Sequence, residues 1–315
     1  MVIKRVIFFG TSDFAVLSLK ALYKNNYDIL LVVTQSDQPK GRGQKLSSPP
    51  VKILAEQLML NIIQPEIIKD EKFYSYLKSL SPDIIIVVAY GKILPQDILI
   101  IPPFKCINIH ASLLPKYRGA APIQWTIMNG DKYTGVTTMF MNERMDEGDI
   151  LLQEKIRIKG TETAPELSDI LCKIGADLLI KSLKSLEKNE IVPIAQDHSA
   201  ATYAPKIKKE HGLIDWNKNA LFISRMVRAF QPWPSAYTSY NDKLIKIWDA
   251  EVYKDDSLPN MPVATIAKIT KDFIVAQCGE NSFLKINKLQ IEGKNVVSAK
   301  DFLLGSKMIT GEKFS

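Results

Sequence analysis

The sequence has few cysteines and no long apolar run. Its three cysteines, Cys106, Cys172 and Cys278, are odd in number and far apart, so neither a disulfide framework nor a cysteine-based zinc site is indicated. No segment reaches the roughly 18 consecutive apolar residues that a membrane span needs, and the first residues run directly into a strand pattern. We therefore expect a cytoplasmic protein without a signal peptide or membrane anchor.

The length and composition fit a globular protein of two domains. The chain has 315 residues, of which 46% are hydrophobic and 24% charged, and single domains commonly have about 100–200 residues. The pattern predicts a first domain over residues 1–189, a linker over 190–207 and a second domain over 208–315. We expect the protein to be a monomer.

The first domain alternates β-branched runs with helical patterns, which is typical of a Rossmann-like parallel sheet covered by helices. Strands are predicted at residues 2–9, 29–33, 84–89, 106–109 and 136–140. Helices are predicted at residues 14–23, 51–60, 73–80, 121–129 and 167–186. In the second domain, a helix at 221–230 precedes short strands at 236–240, 244–248, 263–269, 273–276 and 283–291. Short strands at this spacing favour a small, OB-like β-barrel.

Much of the positive charge lies in the last third of the chain. The net charge is +7, and residues 205–315 contain 17 Lys and Arg against 12 Asp and Glu. Such a domain can attract a polyanion such as RNA, although a solvated lysine-rich surface explains the charge equally well. Lys206, Lys208 and Lys209 are the first candidates for phosphate contacts. Each one taken singly also fits a solvated lysine.

A second basic segment lies in the long loop 34–50. Loops of this length inside a compact domain are usually functional. Glycines lie between Lys40, Arg42 and Lys45 and make this part of the chain flexible. Such a basic, flexible loop can become ordered when it binds the phosphates of a nucleic acid. Without further information, a loop that simply faces solvent is the more economical interpretation.

Two polar side chains end one of the predicted strands. In C-I-N-I-H at residues 106–110, strand alternation puts Asn108 and His110 on the same side, near the edge where open α/β sheets bind ligands. The acidic segment M-D-E-G-D follows the predicted strand 136–140, and loops after neighbouring parallel strands meet at one edge. We therefore expect an aspartate of this segment to approach His110. Taken alone, each feature also fits a structural histidine or a surface turn.

The residues around this cluster extend into a longer pattern. The segment N-I-H-A-S-L-L-P-K-Y-R-G-A-A-P, with M-D-E-G-D downstream, resembles the folate-dependent formyltransferase superfamily. The later segments T-Y-A-P-K-I, I-D-W and R-A-F-Q-P-W-P-S-A-Y resemble those members of the superfamily that act on methionyl-tRNA, so the similarity spans nearly the whole chain. The resemblance implies an enzyme that moves a formyl group from 10-formyltetrahydrofolate to the amino group of methionyl initiator tRNA.

The resemblance also implies roles for particular residues. Asn108, His110 and Asp146 match the superfamily's catalytic positions, and Ser112, Leu113, Leu114 and Pro115 match its tetrahydrofolate-binding segment. The loop with Lys40, Arg42 and Lys45 resembles a basic insertion that contacts tRNA. One departure is Arg144, which stands where the superfamily usually has glycine. Because arginine, unlike glycine, is unfavourable at positive φ, the turn before Asp146 is expected to differ slightly.

The residue types suit acyl transfer to an amine. Negative charge builds on the formyl oxygen as the amine attacks, and the Asn108 amide or a protonated His110 can donate to that oxygen. Asp146 would either stabilise the protonated His110 ring or accept the proton that the amine loses. The residue types do not decide between these two roles. We see no nucleophile elbow and no metal-ligand spacing among the three histidines, so we expect direct transfer without a metal.

Other functions remain open from the residues alone. The same chemistry could formylate glycinamide ribonucleotide or an amino sugar, with the basic loop and the segment 228–237 discriminating against both. With water as acceptor, the chain would be a formyltetrahydrofolate hydrolase, although no regulatory domain precedes the first strand. A different class is an RNA-binding module that has lost its chemistry, which the intact Asn108, His110 and Asp146 disfavour.

Overall fold

A seven-stranded sheet organises the first of two units in the computed structural model, which describes residues 2–40 and 45–315. This first unit contains the chain up to Pro122 together with Tyr133–Arg157 and Ser168–Pro205. The second unit contains Ile123–Lys132, Ile158–Leu167 and Lys206–Ser315. In the described ranges, no helix is long and apolar enough to cross a membrane.

The elements of the first half follow the predicted alternation. In chain order they are β1 (Arg5–Gly10), α1 (Asp13–Lys24), β2 (Asp28–Val33), β3 (Gln38–Lys40), β4 (Lys45–Ser47), α2 (Pro50–Gln57), β5 (Ile62–Ile63), α3 (Glu71–Ser79), β6 (Ile84–Val88), α4 (Gln96–Leu99), β7 (Cys106–His110), α5 (Pro122–Asn129), β8 (Tyr133–Phe140), β9 (Ile150–Arg157) and α6 (Ala164–Glu187). The order across the large sheet is β5-β2-β1-β6-β7-β8-β9. All residues of β6 are buried, as expected for a strand covered on both faces.

The sheet is parallel from β5 to β7, and its last two strands are antiparallel. The expectation that residues 136–140 continue a parallel sheet is therefore wrong. The connecting helix α5 is about 12 Å long at 1.5 Å per residue, whereas the eight residues of β8 span about 27 Å. The helix does not carry the chain back across the sheet, so β8 starts beside the carboxyl end of β7, where His110 pairs with Thr137.

Strand β9 was not predicted. Its sequence I-L-L-Q-E-K-I-R is apolar only at the start, and it lies at the edge of the sheet, where its second half is largely exposed. The two-residue strand β5, the β3–β4 hairpin and the short helix α4 were missed as well, since segments this short carry little periodicity.

The second unit contains the predicted barrel. Its elements are α7 (Ala220–Ala229), β10 (Ala236–Tyr240), β11 (Lys243–Tyr253), β12 (Ile266–Ile269), β13 (Ile274–Cys278), β14 (Ser282–Ile291), β15 (Val297–Ser298) and α8 (Ala299–Leu304). The strands form one antiparallel sheet in the order β10-β11-β14-β13-β12, with β15 paired to β14. The sequence predicted five of these six strands and missed β15 and α8.

The C-terminal tail joins the two edges of this sheet. Ser315 exchanges backbone hydrogen bonds of 2.8 and 2.9 Å with Ser239 in β10. On the other edge, Ile266 in β12 donates to the Glu312 carbonyl at 2.8 Å, and Phe314 donates to the Ala264 carbonyl at 3.0 Å. Closure removes exposed strand edges, and the barrel prediction is confirmed.

Candidate active site

Strand β7 presents two polar side chains toward the acidic loop, residues 141–149, that joins β8 to β9. Asn108 and His110 lie two residues apart and therefore on the same side of the strand. The amide nitrogen Nδ2 of Asn108 lies 3.4 Å from Oδ1 of Asp146. His110 Nδ1 lies 3.6 Å from Oδ2 of the same carboxylate. The three residues that sequence analysis proposed as catalytic thus form one cluster.

The route by which Asp146 reaches this cluster differs from the expected one. Because β8 is antiparallel to β7, it ends beside Ile107 rather than at the carboxyl edge of β7. The acidic loop then brings Asp146 back toward His110. The expected proximity is present, but the shared parallel edge does not cause it.

Hydrogen bonds orient the His110 ring. Its Nε2 lies 2.8 Å from the backbone carbonyl of Tyr117. Since a carbonyl can only accept, Nε2 must carry a proton and Nδ1 faces the Asp146 carboxylate. His110 is 6% exposed, so the ring is held with little room to rotate. A proton on Nδ1 would be directed at a negative charge.

Asp146 itself has an unusual backbone. Its φ of +55° lies in the left-handed region, which aspartate tolerates better than most non-glycine residues. The backbone N–H of Gly119 donates to Oδ2 at 2.8 Å, which leaves Oδ1 toward Asn108. The carboxylate is therefore shared among Asn108, His110 and a backbone amide.

Two glycines permit these close approaches. A Cβ at Gly148 would lie 1.8 Å from the Phe140 carbonyl oxygen, so the acidic loop can fold against the end of β8 only without a side chain there. A Cβ at Gly119, whose φ is +121°, would lie 2.7 Å from the Ala204 carbonyl oxygen.

A buried arginine and a buried glutamine lie next to the acidic loop. Nε and Nη2 of Arg118 both donate to Oε1 of Gln196, at 3.1 and 2.8 Å. The Gln196 amide nitrogen donates to the carbonyls of Asp146 and Gly148, at 2.9 and 2.7 Å. Arg118 is 2% exposed and Gln196 6%. The sequence analysis missed both residues. Arg118 stands within the motif K-Y-R-G-A-A-P, whereas Gln196 lies in the aperiodic segment assigned as linker and has no sequence signal.

Glu147 balances the buried charge of Arg118. One Glu147 carboxylate oxygen lies 3.4 Å from Nη1 of Arg118, and the other lies 3.5 Å from Nη1 of Arg144 and 3.8 Å from Nδ1 of His198. A buried cation without a counter-charge would be strongly destabilising.

Arg144, the departure from the superfamily pattern, does not lie at positive φ, and its backbone N–H donates to the Asn142 side chain at 3.0 Å. The turn therefore needs no glycine at this position.

The proposed folate segment is fixed largely by its own hydrogen bonds. The Ser112 hydroxyl donates to the Lys116 carbonyl at 2.6 Å. Leu114 is buried, its N–H donates to the Thr137 hydroxyl at 3.1 Å, and its carbonyl accepts from Gln153 at 2.9 Å. Leu113 and Pro115 are only partly buried. Two of the four residues thus support the segment, and the other two keep accessible apolar surface.

Three of the candidate tRNA contacts have exposed side chains. Lys206, Lys208 and Lys209 all face solvent at the start of the second unit. Lys40 ends β3 and Lys45 begins β4, the two strands of a short hairpin. Arg42 lies outside the described residues.

Cys106 begins β7, the strand that carries Asn108 and His110. The Cys106 thiol is buried beneath Ile98 and Leu99, and burial raises its pKa well above the ordinary value, so it is not a nucleophile at neutral pH. Across residues 2–40 and 45–315, no three His, Cys, Asp or Glu side chains gather as metal ligands would.

Comparison with known proteins finds a family model for each half of the chain. The family model for formyl transferase matches residues 4–183, and the model for the formyl transferase C-terminal domain matches residues 206–307. A methionyl-tRNA formyltransferase of Caldanaerobacter subterraneus subsp. tengcongensis is 46% identical over 308 residues, covering 98% of each chain. The enzyme of that name from Thermodesulfovibrio yellowstonii is 48% identical over 306 residues, covering 97% of each.

Solved structures agree on the fold. An N-formyltransferase from Helicobacter canadensis, solved with folinic acid and dTDP-3-aminofucose, has a TM-score of 0.65 at 20% identity, covering 91% of this chain and 99% of that one. Since its identity is low, this likeness speaks for the fold alone. The family models and the two relatives go further. The chain belongs to the formyl transferase family and, within it, to the methionyl-tRNA formyltransferases.

Proposed function

We propose that the protein transfers the formyl group of 10-formyltetrahydrofolate to the amino group of methionyl initiator tRNA, giving N-formylmethionyl-tRNA for translation initiation. The observation that carries this proposal is the cluster in which the Asn108 amide lies 3.4 Å and the His110 imidazole 3.6 Å from the Asp146 carboxylate. The acceptor is inferred from the two relatives, both of which are called methionyl-tRNA formyltransferase. Since aminoacyl-tRNA is used at the ribosome, we place the reaction in the cytoplasm.

The cluster suits direct transfer between two nitrogens. The amine nitrogen of methionine attacks the formyl carbon, and negative charge develops on the formyl oxygen. The bond from that carbon to the folate nitrogen then breaks, while the amine loses a proton and the folate nitrogen gains one. Donors such as the Asn108 amide stabilise the oxygen, and loss of one such donor can cost about 2.7–4 kcal/mol.

His110 and Asp146 are the side chains that would carry out proton transfer. Nε2 of His110 is engaged by the Tyr117 carbonyl, so Nδ1 is the ring atom directed toward the Asp146 carboxylate. A proton taken from the attacking amine by Asp146 would be stabilised by His110 beside it. General acid–base groups of this kind typically contribute about 10²–10⁴-fold to a rate.

The donor and the acceptor are proposed to meet different parts of the chain. Among the four residues of the folate segment, Leu113 and Pro115 would provide apolar contact, while Ser112 and Leu114 hold the segment in shape. Residues 208–315 are the proposed tRNA-binding domain, with Lys206, Lys208 and Lys209 at its start. Residues 1–189 are the proposed catalytic domain, including the basic loop 34–50 with Lys40, Arg42 and Lys45. The segment 190–207 between them also supplies Gln196 to the site.

The test is transfer of radiolabelled formyl from 10-formyltetrahydrofolate to methionyl initiator tRNA. Unacylated tRNA, methionyl elongator tRNA and glycinamide ribonucleotide serve as parallel acceptors. Label on methionyl initiator tRNA alone supports both the reaction and its selectivity. Label on the ribonucleotide, or on no tRNA, would overturn the proposed acceptor. Label lost to water would indicate hydrolysis instead.

A further inference from the structure

The left-handed conformation of Asp146 needs support from outside the acidic loop. A non-glycine residue at φ +55° is uncommon, and this residue must also present its carboxylate to Asn108 and His110. The loop contains Gly148, which has the freedom to let the turn relax. Whatever fixes the backbone on either side of Glu147 therefore fixes the carboxylate.

Gln196 makes that connection. Its amide nitrogen donates to the carbonyls of both Asp146 and Gly148, one residue on each side of Glu147. Both bonds are short, at 2.9 and 2.7 Å, and the side chain is nearly inaccessible to water. Buried hydrogen bonds of this kind are costly to leave unmade.

Arg118 fixes which way the Gln196 amide points. Oε1 of Gln196 accepts two hydrogen bonds from the guanidinium, so the amide nitrogen must face the loop. Only an amide side chain offers an acceptor to a cation on one side and two donors to carbonyls on the other. A carboxylate would satisfy the arginine but repel the carbonyls.

We propose that Gln196 is a positioning residue for Asp146, oriented by Arg118, and that it holds the carboxylate at the distances formyl transfer requires. Gln196 acts on the carboxylate through the backbone of the acidic loop, because its amide nitrogen donates to the carbonyls of Asp146 and Gly148. The inference rests on the proposed function, because its readout is the rate of formyl transfer.

The test is Gln196→Glu, which keeps the size of the side chain and its acceptor for Arg118 but removes both donors to the loop. Single-turnover formyl transfer is measured with both substrates saturating, and KM is measured for each. A displacement of about 1 Å at a reacting group can cost on the order of 10²-fold. We expect the single-turnover rate to fall by about that factor, with both KM values within about threefold of wild type.

The matched control is Gln277→Glu in the barrel. Gln277 has the same bonding pattern, since its Oε1 accepts from the Met261 N–H at 3.2 Å and its amide nitrogen donates to the carbonyls of Cys278 and Ser282 at 3.0 and 3.4 Å. It is 1% exposed. This control should lower the melting temperature while leaving the single-turnover rate near that of wild type.

The outcomes separate the inference from the proposed function. A wild-type protein that formylates no tRNA contradicts the function itself. An active wild type with a Gln196→Glu variant of equal rate, or equal rate losses in both glutamine variants, overturns the positioning role. If Gln196→Glu does not fold, Gln196→Asn decides in its place. That shorter amide should lower the rate at unchanged KM, and a wild-type rate would overturn the inference.

Discussion

The acidic loop and the basic segment that carries Lys206, Lys208 and Lys209 hold their charges in different ways. Asp146 is partly buried and bonded several times over, since its carboxylate accepts from Asn108 and the Gly119 N–H and its carbonyl accepts from Gln196. In the basic segment the lysines are exposed, and Lys208 forms a long ion pair of 3.9 Å with Glu210 in which both side chains are more than two-thirds exposed.

This difference fits two kinds of task. A group that stabilises a transition state must be held in place before the reaction, since rates fall steeply with misplacement. A lysine that neutralises a phosphate needs only to be near a polyanion and to release counterions. We therefore expect substitutions in the first region to reduce the rate at nearly constant tRNA affinity, and substitutions in the second to do the reverse.

His110→Ala should produce the largest effect. The ring lies between the Tyr117 carbonyl and the Asp146 carboxylate, and its removal deletes one partner in charge stabilisation and proton transfer. We expect the single-turnover rate to fall by about 10³-fold, while the Kd for methionyl initiator tRNA, measured by filter binding, changes by less than about threefold.

The companion variant is Arg42→Ala in the basic loop 34–50, which should weaken productive use of tRNA while leaving the chemical step intact at saturation. Equal losses of tRNA affinity in His110→Ala and Arg42→Ala would contradict the division between a catalytic cluster and a binding arm.

Gly148→Ala should have the next largest effect. The added Cβ would lie 1.8 Å from the Phe140 carbonyl oxygen, whereas real Cβ contacts are essentially never shorter than 3.0 Å. The acidic loop must therefore move to accommodate the methyl group. We expect a rate loss of about 10²-fold. Gly305→Ala is the control, because a Cβ there meets nothing within 4 Å and its φ of −109° is ordinary. A Gly148→Ala enzyme as fast as Gly305→Ala would show that the loop is more adaptable than its packing indicates.

Much of the fold and part of the catalytic cluster can be predicted from sequence, for identifiable reasons. Alternation along β7 put Asn108 and His110 on one side, and the helical periodicities located α1, α2, α3, α6 and α7 to within a few residues. These signals are local. They depend on a period of 2 or 3.6 residues that a single segment carries by itself.

The missed features depend on contacts between distant segments. Nothing near Gln196 in sequence indicates its function, because that arises only when the segment after Pro193 folds against residues 146–148. The antiparallel direction of β8 was missed for a different reason, because the predicted helix 121–129 is already too short to carry the chain back across the sheet and its length was not used. Strand geometry led to the expectation that an aspartate of the acidic segment lies near His110, and the resemblance singled out Asp146.

Replacing Lys208 and Lys209 together with alanine tests the second region. If each contacts a phosphate, the slope of log K against log salt for tRNA binding should fall by about one for each lysine. We expect tRNA affinity to fall by about tenfold at low salt, with the saturated single-turnover rate unchanged. The control is Lys188→Ala, an exposed lysine of the first unit. An unchanged salt slope in the double variant would remove these lysines from the tRNA interface.

Asp37→Asn should have the smallest effect and tests how the basic hairpin is anchored. Asp37 accepts hydrogen bonds from Gln64, Lys52 and Ser48 at 2.8–3.1 Å, and the bonds from Gln64 and Lys52 lower the pKa of its carboxyl below the ordinary value. A lowered folded-state pKa stabilises the fold above the unfolded pKa of about 3.9, and that contribution is lost as pH falls through the lower folded value.

The melting temperature of Asp37→Asn should therefore be lower than that of wild type by up to about 2 °C from pH 5 to 7, and the gap should close below about pH 3.9. Asp256→Asn, which changes an exposed aspartate in the second unit, should show no such gap. A gap that is constant down to pH 2.5 would mean that the carboxylate's charge is not what anchors the hairpin. A weakened anchor with normal tRNA affinity would separate the hairpin's stability from its proposed role as a binding arm.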